Sequence, residues 1–407
     1  MTDLSTPNRP LLDFRARVRG TLESFDAATL ASWEADRHVP RQAVTELAEQ
    51  GLFRTRWALG AHGGAEYMTV LIAELFLRSS GLALAAMGHS EIFIGALTRH
   101  GSTAAHASLL EDARSGRAVG CFAATEPHGG AQLAGIRTRA VAEEGGGWHL
   151  RGTKRYISNL GGATHAVLLA RTDAAQNAAD LSLFIVPLDT PGVTIDGFFD
   201  SSGVQACDVG QLTVDAHLPQ AALLGSPGLG LLYASHLLQF ERLGICALLL
   251  AGGESALELA AGFARRRHTD GGRVIDKQVI RHHLATARAE LWNLQGRLAE
   301  ILAFAMREQA LPPHQISALK LIAGKRVLEV VDTAMQILGA RGNTSAYPLE
   351  KLWRDCRIAR VGGGTDEVLA DMVASYVDRP DRRVEEFLDA AAEDDVPLRS
   401  VARGRTP

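Results

Sequence analysis

Several features are scarce in this chain of 407 residues, and each absence removes a class of protein. The longest apolar stretch, around Leu243–Ala251, is much shorter than the roughly 18 residues that cross a bilayer, so we expect no membrane partner. The first residues, MTDLSTPNRPLLDF, have an acidic side chain at the third position and no cationic segment followed by an apolar one, so no secretory signal is visible. We therefore expect a cytoplasmic protein.

Cysteine and positive charge are limited as well. Four scattered cysteines without a CxxC pair argue against zinc sites and disulfide scaffolds, so we expect reduced thiols and no metal; they are Cys121, Cys207, Cys246 and Cys356. The formal net charge of −4 excludes a dominant basic surface, so we expect no nucleic acid partner.

What the chain does contain is the composition of a globular protein, with 46% hydrophobic and 22% charged residues. Its length suits two or three domains. From Leu11 to about Arg117 the apolar residues recur with helical spacing. Beyond a glycine loop at Gly60–Gly64, this pattern predicts helices at Ala65–Ser79, Ala86–His100 and Thr103–Ser115.

The pattern changes near Cys121 and changes back after Gly228. Short strands separated by turn residues are predicted at Trp148–Ile157, Ala166–Arg171, Leu181–Val186 and Gly210–Val214. Long helices are predicted at Leu231–Arg267, Lys277–Met306 and Pro313–Leu338. Because strands and helices do not alternate, a Rossmann fold is excluded, and Gly228-Leu229-Gly230 is interpreted as a loop before a helix.

The sequence thus predicts an α+β fold in three parts. We expect an N-terminal helical domain at residues 1–120, a β domain at 121–224, a helical domain at 225–380 and a charged tail at 381–407.

Five segments, in order, resemble those of acyl-CoA dehydrogenases and cover the chain from about Trp33 to Val377. They are Cys121–Gln132, Gly152–Asn159, Arg267 with Gly271 and Gln278, Gln336–Ala340, and Arg354–Glu367. The resemblance implies a helical domain, a β-barrel-like domain and a C-terminal four-helix bundle. It also implies non-covalent FAD at a subunit interface, a dimer or tetramer of identical chains, and an electron acceptor such as electron-transfer flavoprotein.

The resemblance assigns cofactor-binding residues, and their chemistry suits that role. The hydroxyls of Thr125 and Ser158 are donors for flavin, and Tyr156 offers a flat ring to cover another ring. Arg267 is a fork donor for pyrophosphate, and Gly339 permits close approach of the backbone. The complete predicted set is Phe122, Thr125, Ala131, Tyr156, Ile157, Ser158, Arg267, Gln278, Gln336, Gly339, Ala340, Thr365 and Glu367.

Each of these residues also has an ordinary structural interpretation. Tyr156 alone is typical of a half-buried strand, Gly339 of a helix C-cap, Thr365 of an N-cap and Arg267 of a solvated charge. Their joint order favours the functional interpretation.

The catalytic base is predicted at Glu241. Many family members carry a glutamate directly before the Gly-Thr of the last segment, but here that position is Gly363. A second group, which includes isovaleryl-CoA and long-chain acyl-CoA dehydrogenases, carries the catalytic glutamate just before an arginine on the helix after the β domain. The segment Gln239-Phe-Glu-Arg242 matches that pattern.

The helical pattern around Glu241 supports the same prediction independently of the resemblance. Its carboxylate interrupts an apolar stripe formed by Ala234, Leu237, Leu238, Gly244, Ile245 and Leu248. Apolar surroundings raise the pKa of a carboxyl group and make it a better proton acceptor near neutrality. The alternative is a structural ion pair with an arginine.

The resemblance implies removal of an α proton by Glu241 and transfer of the β hydrogen to flavin, starting from an acyl thioester such as acyl-CoA. Ala131, Arg242 and Gly364 are the predicted substrate-binding residues, with the Gly364 amide bonding the thioester oxygen.

Three positions depart from the family and keep alternatives open. Ala131-Gln132 replaces Ser-Asp, Asp270 replaces an aromatic residue, and Ala340 replaces a glycine. Since the missing serine commonly helps to hold CoA, an acyl group on a carrier protein of a secondary-metabolite pathway is one alternative. A flavin monooxygenase on the same fold is another, which Glu241 argues against, and a relative that has lost its flavin is a third.

Overall fold

The computed structural model describes residues 9–60, 63–172, 180–308, 310–377 and 382–384. The tail predicted at 381–407 lies almost entirely outside these residues. Helices occupy both ends of the described chain and a β-sheet occupies the middle, so the predicted fold class is confirmed.

The N-terminal part consists of helices joined by short turns. They are α1 (Arg9–Leu22), α2 (Ala27–Asp36), α3 (Arg41–Glu49), α4 (Leu52–Trp57), α5 (Ala65–Arg78), α6 (Ser80–Met87), α7 (Gly95–His100) and α8 (Ala104–Arg114). The predicted helix at Ala86–His100 begins earlier, at Ser80, where Ser79 Oγ accepts a hydrogen bond from the Leu82 amide. A π-helical segment, Gly88–Ile94, joins α6 to α7.

The middle part is one mixed sheet. Its strands are β1 (Gly120–Ala123), β2 (Arg139–Ala142), β3 (Trp148–Ser158), β4 (His165–Arg171), β5 (Leu181–Pro187), β6 (Val193–Phe198), β7 (Val209–Leu218) and β8 (Leu223–Leu224). They run in the order β6-β7-β3-β2-β4-β5-β8, and β1 pairs in parallel with β4. The four predicted strands are present as β3, β4, β5 and β7, while β1, β2, β6 and β8 were not predicted.

A register shift between Lys154 and Ile157 interrupts the pairing of β3 with β7. Tyr156 lies in this bulge with φ +57°, an uncommon conformation for a non-glycine residue. The bulge turns its ring outward, and 58% of the residue is exposed.

Three long helices dominate the C-terminal part and match the predicted ranges closely. They are α9 (Gly230–Arg266), α10 (Gln278–Glu308) and α11 (Pro313–Leu338). A small hairpin of β9 (His268–Thr269) and β10 (Gly272–Arg273) lies between α9 and α10, and α12 (Leu349–Arg357) and α13 (Asp366–Val377) come at the end. Helix α11 ends at Gly339, whose φ of +61° suits a glycine at a C-cap.

Two helical stretches, Ser80–His100 and Gly230–Arg266, are long and apolar enough to cross a bilayer. Most of each is buried inside the protein, which is typical of core helices. The four cysteines are free and buried, as expected.

Candidate active site

Glu241 lies in the first third of α9, on a face that is otherwise apolar. The neighbours one and two turns away are mostly buried and comprise Ala234, Leu237, Leu238, Gly244, Ile245 and Leu248. Glu241 itself is half-buried. A carboxylate therefore stands among apolar groups, as its position in the sequence predicts.

The carboxylate of Glu241 has no partner in the described part of the chain: no residue there forms a hydrogen bond or a salt bridge with it. Burial raises the pKa of Glu241 by desolvation, and the charges of Arg242 and Lys320 oppose that shift. The alternative of a structural ion pair is not what this geometry shows, because Arg242 is adjacent but directs its guanidinium elsewhere.

A glycine loop lies against this carboxylate. Gly363 and Gly364 have φ of +65° and +107°, a backbone conformation that favours glycine. A Cβ on Gly363 would lie 4.0 Å from the Glu241 carboxyl carbon and 3.0 Å from Ile245 Cδ1. The two positions at which the resemblance predicts a base thus lie side by side, and of these two only Glu241 has a carboxylate.

Two cations fix the carbonyl groups of this loop. Arg242 Nε donates to the Gly363 carbonyl at 2.8 Å, and Lys320 Nζ donates to the Gly364 carbonyl at 2.6 Å. Both side chains are buried, and Arg242 Nη1 has no hydrogen-bond partner in the described chain. A buried polar atom without a partner suggests a group that the bound substrate satisfies.

Sequence reasoning missed Lys320. It lies on the apolar stripe of α11, with buried Ile316, Ala323 and Val327 one or two turns away, and that interruption was a usable signal. Burial lowers the pKa of Lys320 to about 8, against the opposing charges of Asp366, Cys246 and Glu241.

A second group of predicted residues gathers at β1 and the β3 bulge. The Arg155 amide donates to the Thr125 carbonyl at 2.9 Å, which places Thr125 beside the bulge. The Tyr156 ring lies 4.9 Å from that of Phe199. Thr125 and Ser158 are half-buried, so their hydroxyls remain accessible to a ligand.

The same group contains Phe122, half-buried on β1, and Ile157, buried beneath the bulge. Ala131 is exposed in the loop that follows Thr125. Buried Lys154 and Glu126 brace this region with a 2.8 Å ion pair.

A third group lies at one end of the helical bundle. Arg267 follows α9, Gln278 begins α10, and Gln336, Gly339 and Ala340 close α11. All five are exposed. The Arg341 guanidinium, in the turn after α11, is 5.9 Å from the Phe263 ring near the end of α9, so the two helix ends are adjacent.

This third group is far from Glu241. From Glu241 to the end of α9 at Arg266 the helix rises roughly 37 Å, at about 1.5 Å per residue. The structure therefore does not bring these residues together with Glu241 in one chain.

Thr365 and Glu367 lie at the start of α13. Thr365 Oγ1 accepts a hydrogen bond from the Val368 amide at 3.4 Å, so its N-cap role is real. Glu367 is exposed, and hydrogen bonds from its own backbone and Thr365 lower its pKa. Thr365 directly follows Gly364, and Glu367 lies three residues after that glycine.

Comparison with known families agrees with this architecture. Sequence models of the acyl-CoA dehydrogenase N-terminal, middle and C-terminal domains match residues 11–117, 121–216 and 228–377.

Curated relatives and solved structures agree too. The chain is 29% identical to the mitochondrial short-chain specific acyl-CoA dehydrogenase of Rattus norvegicus over 85% of each chain. It is 30% identical to the acyl-[acyl-carrier-protein] dehydrogenase MbtN of Mycobacterium sp. (strain MCS), over 90% of this chain and 94% of the relative. A glutaryl-CoA dehydrogenase from Mycobacterium smegmatis in complex with FADH2 has the same fold, with a TM-score of 0.82 and 24% identity over 91% of this chain and 95% of that one.

Proposed function

The chain belongs to the acyl-CoA dehydrogenase family, oxidoreductases that act on CH–CH donors, and we propose that it uses FAD to remove the α,β hydrogen pair of an acyl thioester. The observation that carries this proposal is the Glu241 carboxylate, which is desolvated, has no hydrogen-bond or salt-bridge partner among the described residues and lies directly beside Gly363.

The residues present fit FAD. An outward Tyr156 ring, with the half-buried hydroxyls of Thr125 and Ser158, forms a polar and aromatic surface for an isoalloxazine ring, and Phe122 and Ile157 support it. The start of α13, with Thr365 and Glu367, adds free amide groups. When bound, FAD accepts the β hydrogen as hydride.

The end of the bundle suits the distal half of FAD from a neighbouring copy. Arg267 is a fork donor for pyrophosphate, and a Cβ at Gly339 would meet nothing within 4 Å, which leaves room for a close ligand. Gln278, Gln336 and Ala340 complete this exposed surface. Its distance from Glu241 supports a site shared by two subunits, in a dimer or tetramer of identical chains.

The chain's own residues then have separate roles. Glu241 takes the α proton, which its raised pKa favours. The Gly364 amide donates to the thioester oxygen, and Arg242 and Lys320 hold the loop that presents this amide. Ala131 and Arg242 line the path of the substrate.

The carrier is either coenzyme A or an acyl carrier protein. Coenzyme A agrees with the short-chain dehydrogenase relatives. A carrier protein agrees with the similarity to the acyl-carrier-protein dehydrogenase and with Ala131, where the serine that helps to hold CoA is missing. A monooxygenase needs no base, so the geometry around Glu241 disfavours it. We further propose a cytoplasmic enzyme that passes electrons to an acceptor such as electron-transfer flavoprotein.

A flavin-bleaching screen tests this function. Purified protein is mixed without oxygen with a panel of acyl-CoAs and of acyl carrier proteins, and the flavin absorbance is followed. We expect bleaching by at least one thioester. A protein that carries no flavin and takes none up would refute the proposal. A yellow protein would exclude the alternative of a relative that has lost its flavin.

A further inference from the structure

Three neighbouring strands of the sheet place arginines side by side. Arg139 on β2 is the register partner of Arg151 on β3 and of Arg171 on β4, so the three side chains leave the same face of the sheet. Arg137 and Arg139 line a cavity of about 400 Å³ together with Arg171 and the Ala134–Ile136 turn. We call these four arginines the arginine row.

Two members of the arginine row are neutralised by the protein. Buried Arg171 bonds Asp180 at 3.1 Å and donates to the carbonyls of Ala134 and Ile136. Arg151 lies 3.7 Å from Asp215, which also pairs with His149.

The other two members, Arg137 and Arg139, are exposed at the cavity. Across the described ranges, no carboxylate lies within salt-bridge distance of either. Like charges directly opposite each other destabilise a sheet, so these two guanidinium groups do not stabilise the fold. In a chain of net charge −4, a local excess of positive charge indicates a binding role instead.

The cavity is held firmly in place. The bonds from Arg171 fix the turn at Ala134–Ile136, and the amides of Arg137 and Thr138 donate to Glu126 at 2.7 and 2.9 Å. Glu126 directly follows Thr125, so the arginine row has a fixed position relative to the segment in which Thr125 is a predicted flavin contact. A preformed pair of fork donors suits phosphate oxygens.

We propose that Arg137 and Arg139 bind the phosphate groups of the thioester carrier, and we assign them first to the 3′-phosphate and pyrophosphate of coenzyme A. This proposal rests on the proposed function. Because Ala131 offers no hydroxyl to the carrier, recognition needs another group, and the arginine row supplies one of opposite charge.

The test compares wild type with the Arg137→Ala/Arg139→Ala double variant. Flavin reduction is measured with one acyl group carried by CoA, 3′-dephospho-CoA, pantetheine and an acyl carrier protein, and calorimetry measures the binding of free CoA. We expect the KM for acyl-CoA and the Kd of CoA to rise roughly ten-fold or more with kcat unchanged, while acyl-pantetheine, which has no phosphate, reacts equally with both proteins. Arg117→Ala, an exposed arginine paired with Asp112, is the matched control.

The outcomes separate the two proposals. Unchanged CoA binding in the double variant would overturn the phosphate site even if the enzyme is active. A loss confined to the carrier-protein substrate would overturn the assignment to CoA and place the phosphate of a protein-bound phosphopantetheine in the cavity. If no thioester reduces the flavin of wild type, the proposed function fails, and the calorimetric arm still decides whether the cavity binds CoA.

Discussion

Two regions of the molecule carry predicted site residues, and they differ in completeness. Around Glu241 the described chain supplies a carboxylate, a glycine loop and two buried cations that hold it. At the end of the bundle the predicted cofactor residues of the described chain, such as Arg267 and Gly339, are all exposed. The difference supports the proposal that the proton-transfer site is built within one chain, while the distal part of the cofactor site is completed by a second chain.

The sharpest test of the complete region is Glu241→Gln. Glutamine keeps the size of the side chain but cannot accept the proton, so we expect anaerobic flavin reduction to slow by about 10²- to 10⁴-fold. FAD content and ligand binding should stay unchanged, because the exposed region is untouched. Equal rates at equal FAD occupancy would show that Glu241 is structural and would favour the monooxygenase alternative.

The second test removes Lys320, which we regard as a positioning residue. Lys320→Met deletes the bond to the Gly364 carbonyl and a positive charge that lowers the pKa of Glu241. The carboxyl group is active when deprotonated, so activity is lost as the pH falls through its pKa. Without Lys320 that pKa rises further, and we expect the acidic limb of the rate profile to move to higher pH, with kcat lower by roughly ten-fold.

The control for Lys320 is Lys325→Met, an exposed lysine on the same helix. A variant at Lys320 that is slower but keeps the wild-type acidic limb would contradict the electrostatic part of the argument. It would leave Lys320 as a purely structural support for the loop.

The third test addresses the exposed region. Arg267→Ala removes a fork donor, and we expect FAD to bind roughly ten-fold more weakly, while the protein that retains FAD reduces it at the wild-type rate. Arg273→Ala is the matched control, since Arg273 lies at the same end of the bundle but pairs with Asp276. An Arg267 variant with normal FAD affinity would remove this end of the bundle from the cofactor site.

The sequence predicts the helices of both regions well and their contacts poorly. The range Pro313–Leu338 agrees with α11 because its apolar stripe is long and regular. In contrast, β2 and β6 are short and largely exposed, and they are stabilised by pairing with β3 and β7 rather than by burial of their own side chains, which a local apolar pattern does not reveal.

The same limit applies to the active site. The position of Glu241 on an apolar face was predictable from the spacing of its neighbours along the helix, and its role as the base stays a prediction. The role of Lys320 was not, because its partner, the Gly364 carbonyl, is 44 residues away and is a backbone atom. The open end of the bundle gives no local signal of a second subunit, and only the resemblance to the family predicted one.

The smallest expected effect, and the most specific, is a rescue. In the Glu241→Gln background, Gly363→Glu places a carboxylate on the loop, where its Cβ lies 4.0 Å from the original carboxyl carbon. The new side chain is strained, because φ at Gly363 is +65° and Ile245 Cδ1 is 3.0 Å from that Cβ, so we expect a loss of about 1–2 kcal/mol in the free energy of unfolding. Flavin reduction should recover only in part, by roughly ten-fold over the single variant, since proton transfer requires close geometry. Gly363→Gln in the same background has equal strain and no base, and it should show no recovery. If the glutamate and glutamine variants reduce flavin at the same rate, the loop does not reach the substrate carbon that Glu241 serves.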